Sequence, residues 1–177
     1  PMVKTSLYAF VLVVVALLVY AASRPDSFRI ERSAVIQAPP EKIFPHINSF
    51  QRWSAWSPWE KVNPALSRSF AGPDQGVGAI YGWKGNKEVG EGRMEIVESA
   101  PPGRIVIRID FQVPFEALNT VEFTLVPEAG GIRVSHAMYG PRPFVSKLMG
   151  LFFSMDKMVG GKFEEGLGAL KALAEAP

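Results

Sequence analysis

The chain has 177 residues, 47% of them hydrophobic and 20% charged, with a net charge of +2. That length fits one domain and a short appendage, and the scattered Lys and Arg build no dense basic face of the kind nucleic acids require. The absence of cysteine excludes disulfides and thiol catalysis. The two histidines, His46 and His136, lie far apart, so no zinc site is expected. No phosphate-binding Gly-Lys-Ser/Thr loop, HExxH or GxSxG is present, and no cofactor is expected.

Residues 5–23 carry no charge, and 7–20 read LYAFVLVVVALLVY. Such a run spans about 28 Å as a helix, close to the ~30 Å hydrocarbon core of a bilayer. Tyr8 and Tyr20 sit near its ends, where amphipathic aromatics favour the interface. An uncleaved anchor over residues 1–25 is the expectation, with the lipid bilayer as partner. Two alternatives stay open. Val19-Tyr20-Ala21 suits the cleavage site of a secretion signal, and a buried core helix is the other, although no polar face is visible. Arg24, Arg29 and Arg32 follow the segment and would favour a cytoplasmic domain. A short N-terminus with Lys4 before an apolar run is instead the pattern of a secreted chain. The second argument is given more weight, so residues 26–177 are expected on the periplasmic or extracytoplasmic side.

The soluble part opens with a strand over 27–38, SFRIERSAVIQA. Pro39-Pro40 ends it, and Pro40 suits the first turn of a helix, where its missing N–H is no loss. A short helix over 41–48 and a turn over 50–53 lead into WSAWSPWEK. Strand-like runs follow at 66–70, 77–83, 88–98, 104–111, 117–126 and 132–139, separated by Gly-, Pro- and Asn-rich turns. Ile105, Ile107, Ile109 and Phe111 share one face, and so do Val121, Phe123 and Leu125. A period of two with one apolar face describes an antiparallel sheet covered on one side. The cover is a helix of about 30 residues in which Phe144, Leu148, Leu151, Phe152, Met155, Val159, Phe163, Leu167 and Leu170 recur at spacings of three and four. The fold class is therefore α+β, with one long C-terminal helix laid across a curved sheet of about seven strands.

The segments AVIQAPPEKIFPHINSFQRWSAWSPWEK, GPDQGVGAIYGWKGN, VGEGRMEIVES and MDKMVGGKFEEGLGALKALAE, in this order, resemble the START-like (SRPBCC) superfamily. More closely the chain looks like its branch of polyketide cyclase/dehydrase and lipid transport proteins. The resemblance implies a helix-grip fold and a cup for a sterol, lipid, aromatic polyketide or hormone. At His136 the chain departs from the aromatic residue, such as Trp, that the resemblance leads one to expect.

Trp83, Gly90, Gly92, Met94, Ile107, Phe111, Phe123, His136 and Met155 are the expected ligand-binding residues. Gly90 and Gly92 fall on the face of Met94 and would leave room inside the cup, unless they mark a bulge. His136 shares a face with Ile132, Val134 and Met138, where an imidazole could be structural, bind a ligand or act as an acid or base. Trp53, Trp56 and Trp59 read as core plugs or as the rim of the mouth. Gly160, Gly161, Gly166 and Gly168 each cost ~1 kcal/mol in a helix relative to Ala and point to a kink, a close contact or ligand space.

Three functions compete. The leading one is a tethered, non-enzymatic protein that holds a hydrophobic small molecule. An enzyme of cyclase, dehydratase or hydrolase type is the second, using His136 or an inward carboxylate such as Glu88. The third is an accessory subunit of a membrane assembly, with a filled cup.

Overall fold

The structure is a computed structural model that describes all 177 residues. Its first element, α1 (Met2–Ala22), is one apolar helix long enough to cross a membrane by length and composition. Then follow β1 (Ser27–Ile36), α2 (Pro40–Asn48), a 3-10 turn (Phe50–Ala55) and α3 (Trp59–Val62). The remaining strands are β2 (Ser67–Ala71), β3 (Ile80–Lys84), β4 (Glu91–Ala100), β5 (Arg104–Val113), β6 (Ala117–Glu128) and β7 (Gly131–Pro141). Two helices close the chain, α4 (Phe144–Met149) and α5 (Met155–Glu175).

All seven strands form one antiparallel sheet in the order β1-β7-β6-β5-β4-β3-β2. Ser27 opposes Pro141, Phe111 opposes Ala117, and Glu91 opposes Val113, so these strand termini gather at one end of the sheet. The chain enters from α1 and leaves towards α4 at this end, termed the anchor end after the anchor expected of α1. The C-terminus of α5 is tied to the far end, where Gln37 N donates to Glu175 Oε1 at 2.7 Å and Lys171 Nζ donates to Val35 O at 2.9 Å.

Period-two alternation puts Ile105, Ile107, Val121, Phe123, Val134 and His136 on the face that α5 covers, as the pattern predicts. Phe163, Leu167 and Leu170 press on them from the helix. The expected single helix of about 30 residues is in fact broken. Residues 150–154 interrupt it, and Ser154 Oγ accepts a hydrogen bond from Lys157 N at 3.2 Å to cap a new helix. The break ends the common stripe. Phe144, Phe152 and Met155 are exposed, whereas the stripe holds from Val159 onward. The glycines of α5 divide by face. Gly160 and Gly166 are close-contact sites, against Arg32 and against Trp56 with Pro58, and Gly161 and Gly168 face open space.

Candidate functional site

The concave face of the sheet is a stack of cross-strand rows. Deepest among them is the aromatic centre around Phe123, which has no solvent exposure. Trp53 and Trp56 meet its ring edge-on at 5.9 and 6.0 Å, and both indoles are anchored by donating Nε1–H, to Ile47 O and His46 O, each at 3.0 Å. These two tryptophans are core plugs, while Trp59 remains exposed.

His136 opposes Phe123 on β7 and lies between two rings, 4.1 Å from Phe123 and 3.7 Å from Phe163. Its Nδ1 has no hydrogen-bond partner. Burial disfavours the imidazolium and pushes the pKa down to about 3. The cross-strand neighbour on the other side is Arg32, whose guanidinium turns up to α5 and pairs with Asp156 at 2.8 Å and Glu164 at 2.9 Å. No carboxylate therefore faces the imidazole. The neutral ring thus lacks the carboxylate partner of an acid-base pair.

The other candidate carboxylate, Glu88, is not inward: it lies exposed between β3 and β4. A carboxylate that does reach the covered side is Glu60. It accepts from Tyr81 Oη at 2.6 Å and pairs with Arg68, so both of its oxygens are engaged. Burial, followed by this hydrogen bond, raises the Tyr81 phenol above its ordinary range.

Towards the anchor end the cover thins. Trp83, Phe111 and Phe28 are half-buried, with Trp83 edge-on to Phe111 at 5.8 Å. Gly92 does not leave room for a ligand, because the ring of Trp83 fills the place of its missing side chain. Gly90 does not share the face of Met94. It precedes β4 with φ +62°, a Cβ there would overlap Val113 O, and a register shift follows between Glu91 and Gly92. The bulge alternative explains both glycines.

The nine expected residues are thus not one cluster. Ile107, Phe123 and His136 belong to the packed depth, and Trp83, Gly92, Met94 and Phe111 to the anchor end. Gly90 is in a turn, and Met155 stands exposed at the start of α5. Asn119 was missed. It shares the covered face with Val121 and Phe123, is 8% exposed, and its amide makes no hydrogen bond within the protein although its atoms are not sealed from solvent. Parity held the signal: Thr120, Glu122 and Thr124 mark the wet face, so residue 119 belongs to the dry one.

Two depressions lie towards the ends of the sheet. One of about 340 Å3 lies at the anchor end, lined by Ser27, Phe28, Arg29, Tyr139 and Gly140. The other, about 150 Å3, lies at the far end between Phe50, Phe70, Asp74 and Ile80. Neither reaches His136. The first opens on the wet face, where Tyr139 pairs across the strands with Arg29 and Thr120; on the covered face, Asn119 Oδ1 occupies the place of a Cβ at Gly140.

Solved structures share this architecture at low identity. A protein of Chromobacterium violaceum, CV1439, is 18% identical over 87% of this chain and 100% of its own, with a TM-score of 0.60. The di-domain ARO/CYC protein BexL of the BE-7585A biosynthetic pathway is 15% identical over 89% of this chain and 53% of its own, TM-score 0.62. The Aha1 protein of Colwellia psychrerythraea, solved as a dimer in solution, is 16% identical over 84% of this chain and 96% of its own, TM-score 0.57. At such identities the likeness concerns the fold alone. A search of curated protein sequences finds no match. Residues 27–175, from the first strand to the last turn of α5, match the family described as polyketide cyclase / dehydrase and lipid transport, and the chain belongs to that family.

Proposed function

We propose that the chain is a membrane-tethered, non-enzymatic protein that binds a hydrophobic small molecule, lipid-like or aromatic, in the anchor-end half of its cup. The supporting observation is the incomplete cover there: Trp83, Phe111 and Phe28 are half-buried, and the amide of Asn119 is free of protein partners. An apolar wall with one oriented polar group is the usual make-up of a small-molecule site. A tether beside a bilayer raises the encounter rate with poorly soluble ligands. In this reading α1 is the anchor and the domain stands on the extracytoplasmic side.

The test is extraction of the purified full-length chain, followed by mass spectrometry of what it carries. Recovery of one apolar molecule per chain, reduced in Asn119→Leu at unchanged melting temperature, is the expected result. Recovery of nothing from either protein counts against it. That outcome favours the second reading, an accessory subunit with a filled cup, which the closed stack of Phe123, His136 and Phe163 supports.

A further inference from the structure

Outside α1 the chain exposes fifteen large hydrophobic side chains, and ten of them lie in two short segments, 113–118 and 144–158. Phe152 and Phe115 are the most exposed of these, at 70% and 65%. The two segments are far apart in sequence but belong to the same end of the sheet. Residues 114–116 connect the end of β5 to the start of β6, and α4 follows the end of β7.

The short helix α4 is inside-out for a helix in water. Its one charged side chain, Lys147, is buried and paired with Asp26, while Phe144, Val145 and Met149 point outward. A helix facing water presents the opposite arrangement. α4 also packs against α1, whose sole buried residue, Ala21, belongs to its last turn. Arg142 N donates to Asp26 O at 2.6 Å, which ties the start of this segment to the root of α1. Groups at the last turn of a spanning helix lie at the boundary of headgroups and acyl chains.

We propose that residues 113–118 and 144–158 form a second membrane contact, which lays the anchor end of the domain on the surface of a phospholipid bilayer. The inference rests on the reading that α1 enters that bilayer. The outward apolar side chains of α4 and the loop after it continue the apolar surface of α1 sideways, as an interfacial helix does when its apolar face sinks ~5–10 Å below the headgroups. The half-covered row at Trp83 and Phe111 belongs to the same end, so a docked domain holds its open side next to the lipid.

Because the chain has no cysteine, one introduced thiol carries one fluorophore. Full-length Leu12→Cys, Phe115→Cys, Phe152→Cys and Val77→Cys are labelled with bimane and reconstituted in phosphatidylcholine vesicles, with or without nitroxide-bearing lipid. Val77 is exposed in the connection at the far end and serves as control. Positions 12, 115 and 152 should lose most of their fluorescence to the nitroxide, and position 77 should keep it. Quenching at 12 with 115 and 152 as bright as 77 overturns the second contact and leaves the anchor standing. A bright position 12 removes the anchor reading and the proposal built on it. Emission at 152 that shifts to the blue with protein concentration in detergent, without nitroxide quenching in vesicles, identifies a second copy as the occupant and also overturns the proposal.

Discussion

Arg32 crosses beneath α5 at Gly160, in the place where any other residue would put its Cβ. From there its guanidinium reaches Asp156 Oδ2 at 2.8 Å, the Asp156 carbonyl at 3.1 Å and Glu164 Oε1 at 2.9 Å. The hydrogen bond from Arg32 holds the Asp156 carboxyl below its ordinary range. One arginine on β1 thus clamps the first and third turns of the covering helix, and one glycine makes the clamp fit.

That fit sets the sign of a substitution. Gly→Ala inside a helix normally stabilises by ~1 kcal/mol. Gly160→Ala should instead destabilise by about 1 kcal/mol, because the new methyl expels the guanidinium from its hydrogen bonds. In an Arg32→Ala background the same change should stabilise by ~0.5–1 kcal/mol. Chemical denaturation of the four proteins measures the cycle, and an equal effect in both backgrounds disproves the clamp.

The stacked histidine makes stability depend on pH. His136 titrates at about 3 in the folded chain, far below the ~6.5 of an unfolded histidine. Between these values the unfolded state binds the extra proton, so stability is complete above about pH 6.5 and falls as pH drops towards 3. The slope is ~1.4 kcal/mol per pH unit for one such group. His46 adds to the same trend, its pKa lowered by burial and then by Arg52. Denaturation midpoints of His136→Phe between pH 5 and 7 should keep only the His46 share. A slope unchanged by the substitution means that His136 is protonated in the fold.

Two phenylalanines that look alike in the sequence should differ widely. Phe123 is fully buried and touches Trp53, Trp56 and His136, so Phe123→Ala should cost ~3–5 kcal/mol. Phe152 is 70% exposed beyond the helix break, and Phe152→Ala in detergent should stay within ~0.5 kcal/mol. A large loss at Phe152 would restore the unbroken helix over 144–170.

The strands were legible because half-buried antiparallel strands alternate strictly, and each of the seven was placed within a few residues. Stripe spacing likewise located Phe163, Leu167 and Leu170. The same spacing misled upstream, since the apolar residues between Phe144 and Met158 keep a helical rhythm while facing outward. Apolarity tells that a side chain avoids water, and a membrane surface satisfies that as well as a core does. Gly90 and Gly92 read as empty space because a sequence does not say whose side chain fills it; here the ring of Trp83 does so at Gly92. Asn119 is legible only through parity, which puts it on the covered face with Val121 and Phe123, whereas its polarity marks no face.

Substitutions at Asn119 and His136 separate the open end of the cup from its depth. The sequence places His136 and the anchor-end residues Trp83 and Phe111 together among the expected ligand-binding residues. His136 is covered on both ring faces, at 4.1 and 3.7 Å, so a ligand meets it face-on only by parting Phe123 from Phe163. Asn119 offers an amide without protein partners on the covered face, across from Gly140. With a fluorescent fatty acid as probe and the full-length chain in detergent, Asn119→Leu should weaken binding ~5–10-fold, the size of one lost hydrogen bond. His136→Phe should leave the affinity within about twofold, since it changes only a group the probe does not touch. The reverse pattern, with His136→Phe weakening the probe and Asn119→Leu neutral, would move the binding site into the depth of the cup and require the aromatic stack to open.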